Sequence, residues 1–145
     1  MYCAATGGGA WLADGGDARR IAVSTVADIA AIRLVASASH RTSKIDEVKG
    51  ALGIAEELNI GSVGLKLGLI AAGERDLYVN PSPKAKLWDT CAPEALLVEA
   101  GGRLTDLWGE PLRYDRPELG HARGLIATNG LVHEAVLAKL RPLFP

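Results

Sequence analysis

The sequence predicts one mixed α/β domain built in layers. Three segments carry that prediction. Residues 32–36 (IRLVA) are aliphatic and β-branched and read as a buried strand. Residues 62–73 (SVGLKLGLIAAG) form a helix that is apolar nearly all round, with Lys66 as its single charge, so it belongs inside the molecule. Residues 131–140 repeat apolar positions at helical spacing (Val132, Ala135, Val136, Leu140) and read as an amphipathic helix with one inward face.

The other elements follow in chain order. Residues 2–6 and 10–13 are short strands around Gly7-Gly8-Gly9, which reads as a turn or bulge. Asp14-Gly15-Gly16-Asp17 is a second turn, which makes an antiparallel hairpin, and residues 20–24 add another strand. Strand 32–36 runs straight into the polar cluster Ser37-Ala38-Ser39-His40-Arg41. Loops at the C-terminal ends of strands are where open α/β sheets hold ligands. Residues 43–52 form a helix that Gly53 can end, and Ser62 and Gly73 cap the apolar helix. Residues 76–79 form a short strand, and Pro81 and Pro83 constrain the loop 80–84. A helix runs from Asp89 or Thr90 to about Ala100, with Pro93 in its first turn. Residues 103–107 and 111–114 read as strands joined at Trp108-Gly109-Glu110, and 124–128 (GLIAT) is a last core strand. The charges at Asp46-Glu47, Glu56-Glu57 and Glu74-Arg75 read as solvated helix faces and ends.

The bulk numbers remove several classes of function. The 145 residues suffice for one domain with one core. A net charge of -1 without any Lys/Arg-rich run argues against a nucleic-acid polymer as partner. No apolar run has the length of a membrane span, and residues 1–11 lack the basic and apolar regions of a secretory signal. Cys3 and Cys91 read as free thiols of a reducing cytoplasm. His40, His121 and His133 have no metal-type spacing, which argues against zinc.

Three places carry candidate chemistry. Asp89 lies at the mouth of a helix, where backbone N–H groups and the helix dipole favour a carboxylate. Capping alone explains it. The alternative to that first reading is a hard-cation ligand, since a carboxylate held by N–H groups through one oxygen can offer the other to Mg²⁺. Trp88 would pack behind it and fix its direction. Lys66 either snorkels out of its apolar helix or stays buried against an anionic ligand, with Ser62 adding a hydroxyl at the same helix start. Ser37, Ser39 and His40 are loop polarity or else hydrogen-bonding groups for a phosphate or a base edge.

These residues also resemble a known family. WDTCAPEALLVEAGG (residues 88–102) resembles the second signature of the Mg²⁺-dependent, lithium-sensitive phosphatases related to inositol monophosphatase. The wording Thr-Cys-Ala-Pro-Glu after Asp89, the Ser-x-Ser-His of residues 37–40 and the Lys of GSVGLK (61–66) are similar to the 3'(2'),5'-bisphosphate nucleotidase branch. So are GLIAAGERDLYV and the late GLIATNG, and the resemblance runs over nearly the whole chain. It implies the C-terminal portion of a layered α/β/α/β/α sandwich, with residues 1–145 as a single C-terminal phosphatase domain. It also implies Mg²⁺ as cofactor and hydrolysis of a phosphomonoester, typically the 3'-phosphate of adenosine 3',5'-bisphosphate, with inositol phosphates as the alternative substrate. Asp89 matches a metal ligand. Ser37, Ser39, His40, Ser62 and Lys66 match substrate-contacting positions. The family's first half carries a metal-binding Glu, a D-P-x-D-G-[ST] loop and a water-activating Asp/Thr pair, and no Asp-Pro occurs in this sequence. The expectation is therefore a chain without its family's N-terminal metal-binding half: a fragment, a truncated gene product that binds nucleotide without turnover, or one half of a two-chain enzyme.

Overall fold

The computed structural model describes residues 1–39 and 41–145. Two sheets carry the architecture. Strands β1 (Tyr2–Ala5), β2 (Gly9–Ala13) and β3 (Ala18–Ile21) form an antiparallel three-stranded sheet in the order β1-β2-β3. The Gly7–Gly9 turn between the first two is held from outside: the Glu99 carboxylate accepts the N–H groups of Gly7 at 2.9 Å and Gly9 at 3.0 Å. The second sheet contains β4 (Leu34–Ser37), β5 (Glu57–Ile60), β6 (Leu77–Asn80), β7 (Arg103–Thr105) and β8 (Leu125–Thr128), in the order β5-β4-β6-β8-β7. β4 runs parallel to both β5 and β6, whereas β8 runs antiparallel to β6 and β7.

Helices α2 (Val63–Ala71) and α3 (Leu87–Glu99) fill the space between the sheets, and α1 (Ser43–Leu52) and α4 (His133–Leu140) cover the far face of the second sheet. The layers are therefore β/α/β/α. Alternation along the central strands explains the two cores. Leu34, Ala36, Leu77, Val79 and Ile126 face α1 and α4, whereas Val35, Tyr78, Leu125 and Ala127 face α2 and α3. Gly68 of α2 lets Tyr2 of β1 lie against the helix, since a Cβ there would sit 2.6 Å from the Tyr2 ring.

Several elements lie where the sequence puts them. α1 spans Ser43–Leu52 and ends at Gly53, whose φ of 69° is the left-handed conformation a helix stop uses. Others differ for physical reasons. β5 was not anticipated. Its first residue, Glu57, is partly buried, with a side chain only 8% exposed, and Arg41 and Lys49 both pair with it at 2.6–2.9 Å, so it is neither a solvated charge nor a helix end. Residues 111–114 form no strand: Pro111 has no N–H to donate, and the chain instead turns through the Arg113–Asp115 ion pair. In α4, Ala135 is exposed and His133 takes the inward position, bridging Thr105 Oγ1 and Thr128 Oγ1 at 3.0 Å each. α3 starts at Leu87, earlier than expected, so Pro93 is an interior residue. No described helix is long and apolar enough to cross a membrane.

Candidate functional site

Parallel strands β5, β4 and β6 deliver their C-terminal ends to one edge of the second sheet. These ends and the segments that follow them meet in a cavity of about 280 Å³, lined by Ser37 at the end of β4 and Ser39 after it, Ser62 and Lys66 after β5, and Asn80 at the end of β6 with Ser82 and Lys84 after it, together with Tyr78 and Asp89. Five residues nominated from sequence, namely Ser37, Ser39, Ser62, Lys66 and Asp89, thus share one cavity. His40 lies outside the described residues. Tyr78, Asn80, Ser82 and Lys84 also line it and were not nominated; the prolines flanking Ser82 were the available signal, since they hold that loop after a strand end.

Lys66 does not snorkel. It is 2% exposed, and its ammonium donates to the Ser62 carbonyl at 3.0 Å and lies 5.2 Å from the centroid of the Tyr78 ring. No carboxylate pairs with it among the described residues. Burial consequently pulls its pKa down. Ser62 caps α2 by accepting the Leu65 N–H at 3.4 Å. Its φ of 58° makes it the one non-glycine residue with positive φ among those described. Such a conformation costs of order 1–3 kcal/mol and persists only where the surroundings impose it. Here it brings the Ser62 carbonyl to the Lys66 ammonium and the hydroxyl to the rim of the cavity.

Asp89 is the third residue of α3. Its Oδ2 accepts the Lys86 N–H at 2.8 Å, half of a capping box that Lys86, with no side-chain acceptor, cannot complete. Oδ1 accepts no hydrogen bond from a described residue. Trp88 does not back the carboxylate: it is 65% exposed, because the helix begins before it and turns the indole outward. Burial raises the Tyr78 hydroxyl to about 12, with the Asp89 charge adding to the effect. The phenol therefore stays protonated at neutral pH and can donate.

Two lysines, Lys66 and Lys84, line the cavity against one acidic residue, Asp89. That balance suits an anion with several oxygens. For a hard cation the donors fit only in part. Mg²⁺ takes about six oxygen ligands. Asp89 can supply one, and no group of three or more His, Cys, Asp or Glu converges among the described residues.

Fold and cavity together define a layered α/β protein with an anion-suited site at the carboxyl ends of parallel strands. The chain belongs to the inositol monophosphatase family, whose model matches residues 1–143. It is 40% identical over 78 residues to 3'(2'),5'-bisphosphate nucleotidase 1 of Rattus norvegicus, covering 54% of this chain and 25% of that protein. It is 36% identical over 114 residues to the 3'(2'),5'-bisphosphate nucleotidase CysQ of Escherichia coli, covering 79% and 44%. The fold superposes on the Thermotoga maritima IMPase with a TM-score of 0.75 at 24% identity, over 97% of this chain and 50% of that one. The chain thus spans a quarter to half of the length of these proteins.

Proposed function

We propose that this chain is the substrate-contacting portion of a Mg²⁺-dependent 3'(2'),5'-bisphosphate nucleotidase, which hydrolyses the 3'-phosphate of adenosine 3',5'-bisphosphate to AMP and phosphate. The observation that carries the reading is the convergence of Ser37, Ser39, Ser62, Lys66 and Asp89 on one cavity. The identity to nucleotidases named for that substrate supports it.

In this reading Lys66 neutralises phosphate charge. An anion in contact would favour its ammonium form and offset the cost of burying it unpaired. The hydroxyls of Ser37, Ser39 and Ser62 orient the phosphate or the nucleotide, a role for which the sequence also nominates His40. Asp89, aimed by its bond to Lys86, offers its second oxygen to the cation. The bound cation supplies Lewis-acid polarisation of the phosphoryl oxygens. The activating groups for water and the remaining metal ligands come from a further segment, carried by a longer form of the chain or by a second chain. The free thiols Cys3 and Cys91 agree with a cytoplasmic setting.

Calorimetry of the 145-residue chain with AMP and with inositol monophosphate tests the binding half. AMP binding that weakens at least tenfold in Lys66→Ala is the expected outcome. A preference for inositol phosphate would assign the alternative substrate, and no binding of either would overturn the reading. Turnover is tested in the protein extended by a D-P-x-D-G-[ST] segment. Nucleotide binding there without Mg²⁺-dependent phosphate release would mark a non-catalytic module.

A further inference from the structure

We infer that residues 114–121 form a strap that aims Asp89, with Thr90, Tyr114 and His121 as its positioning residues. The backbone shows the clamp first. Leu119 accepts the Leu87 N–H at 2.9 Å, and Ala85 accepts the His121 N–H at 3.0 Å. These bonds bracket Lys86, the residue whose N–H holds Asp89 Oδ2.

Side chains close the same ring from below. Thr90, next to Asp89, is fully buried, and its Oγ1 lies 2.8 Å from His121 Nε2 and 3.2 Å from the Tyr114 hydroxyl. Tyr114 also donates to the Glu94 carboxylate one turn further along α3. His121 is 2% exposed and meets the Tyr114 ring edge-on at 6.4 Å. His121 therefore grips both flanks of Asp89, through its imidazole at Thr90 and through its backbone N–H at Ala85, just before Lys86.

The helix needs this help for two reasons. Pro93 has no N–H to give the Asp89 carbonyl, so the turn that holds the carboxylate lacks one of its own bonds. Trp88 is largely solvent-exposed and adds little packing. The strap supplies from outside what the first turn cannot supply for itself.

The functional meaning rests on Asp89 being the working carboxylate, so the test separates the two claims. Amide exchange is followed by NMR in the 145-residue chain, with Mn²⁺ alone as the metal probe. Thr90→Val and Tyr114→Phe are expected to speed exchange across residues 86–91 at least tenfold while β4, β6 and β8 keep their protection. Mn²⁺ broadening at Asp89 should weaken severalfold in both variants, and Thr90→Ser should restore both readouts. Unchanged exchange in a folded variant, or a rise spread evenly over the protein, would overturn the strap. Should Thr90→Val fail to fold, Tyr114→Phe, which deletes one hydroxyl, decides alone. Absence of Mn²⁺ broadening at Asp89 in the protein extended by the D-P-x-D-G-[ST] segment, which supplies the remaining ligands, would refute the role of Asp89, and the exchange data would still decide the strap.

Discussion

Asp76 and Lys66 are both buried charges, Lys66 inside α2 and Asp76 at the end of the loop that joins α2 to β6, and they are handled in opposite ways. Asp76 is fully buried and satisfied on every side: Arg33 binds it through the backbone N–H, Nε and a terminal guanidinium nitrogen at 2.8–2.9 Å, and Ser24 donates to it as well. Burial pushes its pKa up, but the bonds from Arg33 and Ser24 outweigh burial and hold it below the usual range. Lys66 is as deeply buried and has a carbonyl and a ring face but no counter-charge among the described residues. A charge buried for structure brings its partner along the chain. In the proposed function, Lys66 leaves the partner's place to a ligand.

The contrast can be broken, and the largest effect should come from Asp76. Replacing it by Ala leaves Arg33 half-buried and unpaired, and should cost about 3–5 kcal/mol in urea unfolding. A much smaller cost would show that Asp76 is not a structural anchor. Next is acid titration of the structural side. Burial, with the Arg103 charge adding to it, pushes His133 down to about 4. Its folded pKa thus lies below the unfolded value of about 6.5, so the unfolded state takes up the proton first. Stability should fall by about 3 kcal/mol as pH drops from 6.5 to 4, and His133→Gln should flatten that slope.

Lys66→Met should act in the opposite sense. Removing an unpaired buried ammonium should leave stability unchanged or raise it by about 1 kcal/mol, while anion affinity collapses. The folded pKa of Lys66 is lowered, so the parent chain should gain stability as pH rises from that value toward the unfolded value of about 10.4, a gain Lys66→Met lacks. If Lys66→Met destabilises as strongly as Asp76→Ala, the two charges are of one kind after all. The smallest effect on folding should be that of Asp89→Asn. The amide oxygen can still accept the Lys86 N–H, so the melting free energy should move by less than about 1 kcal/mol. Mn²⁺ broadening at this turn should nevertheless vanish.

Much of this was legible along the chain because the signals are local. Gly53 and the helical spacing before it bounded α1, and the lone charge in SVGLKLGLIAAG marked Lys66. What escaped depends on distant partners. Glu57 resembled a solvated charge until Arg41 and Lys49 were brought to it. The direction of Trp88 turned on where α3 begins, and that is fixed by a bridge to Gly120 far along the sequence. His121 carried no spacing signal, since its partner Thr90 lies thirty-one residues away. Lys66 and Asp89 themselves could be singled out, but that they face one cavity follows from the parallel pairing of β4 with β5 and β6.

The outward turn of Trp88 has a practical side. Of the three indoles it is the most exposed, at 65% against 37% for Trp11 and 39% for Trp108, and it precedes Asp89 directly. Its fluorescence should emit at the longest wavelength of the three and be the first quenched by a paramagnetic ion held at the neighbouring carboxylate. The side chain that contributes least to holding the site is the one that can report, in an ordinary cuvette, whether the site is filled.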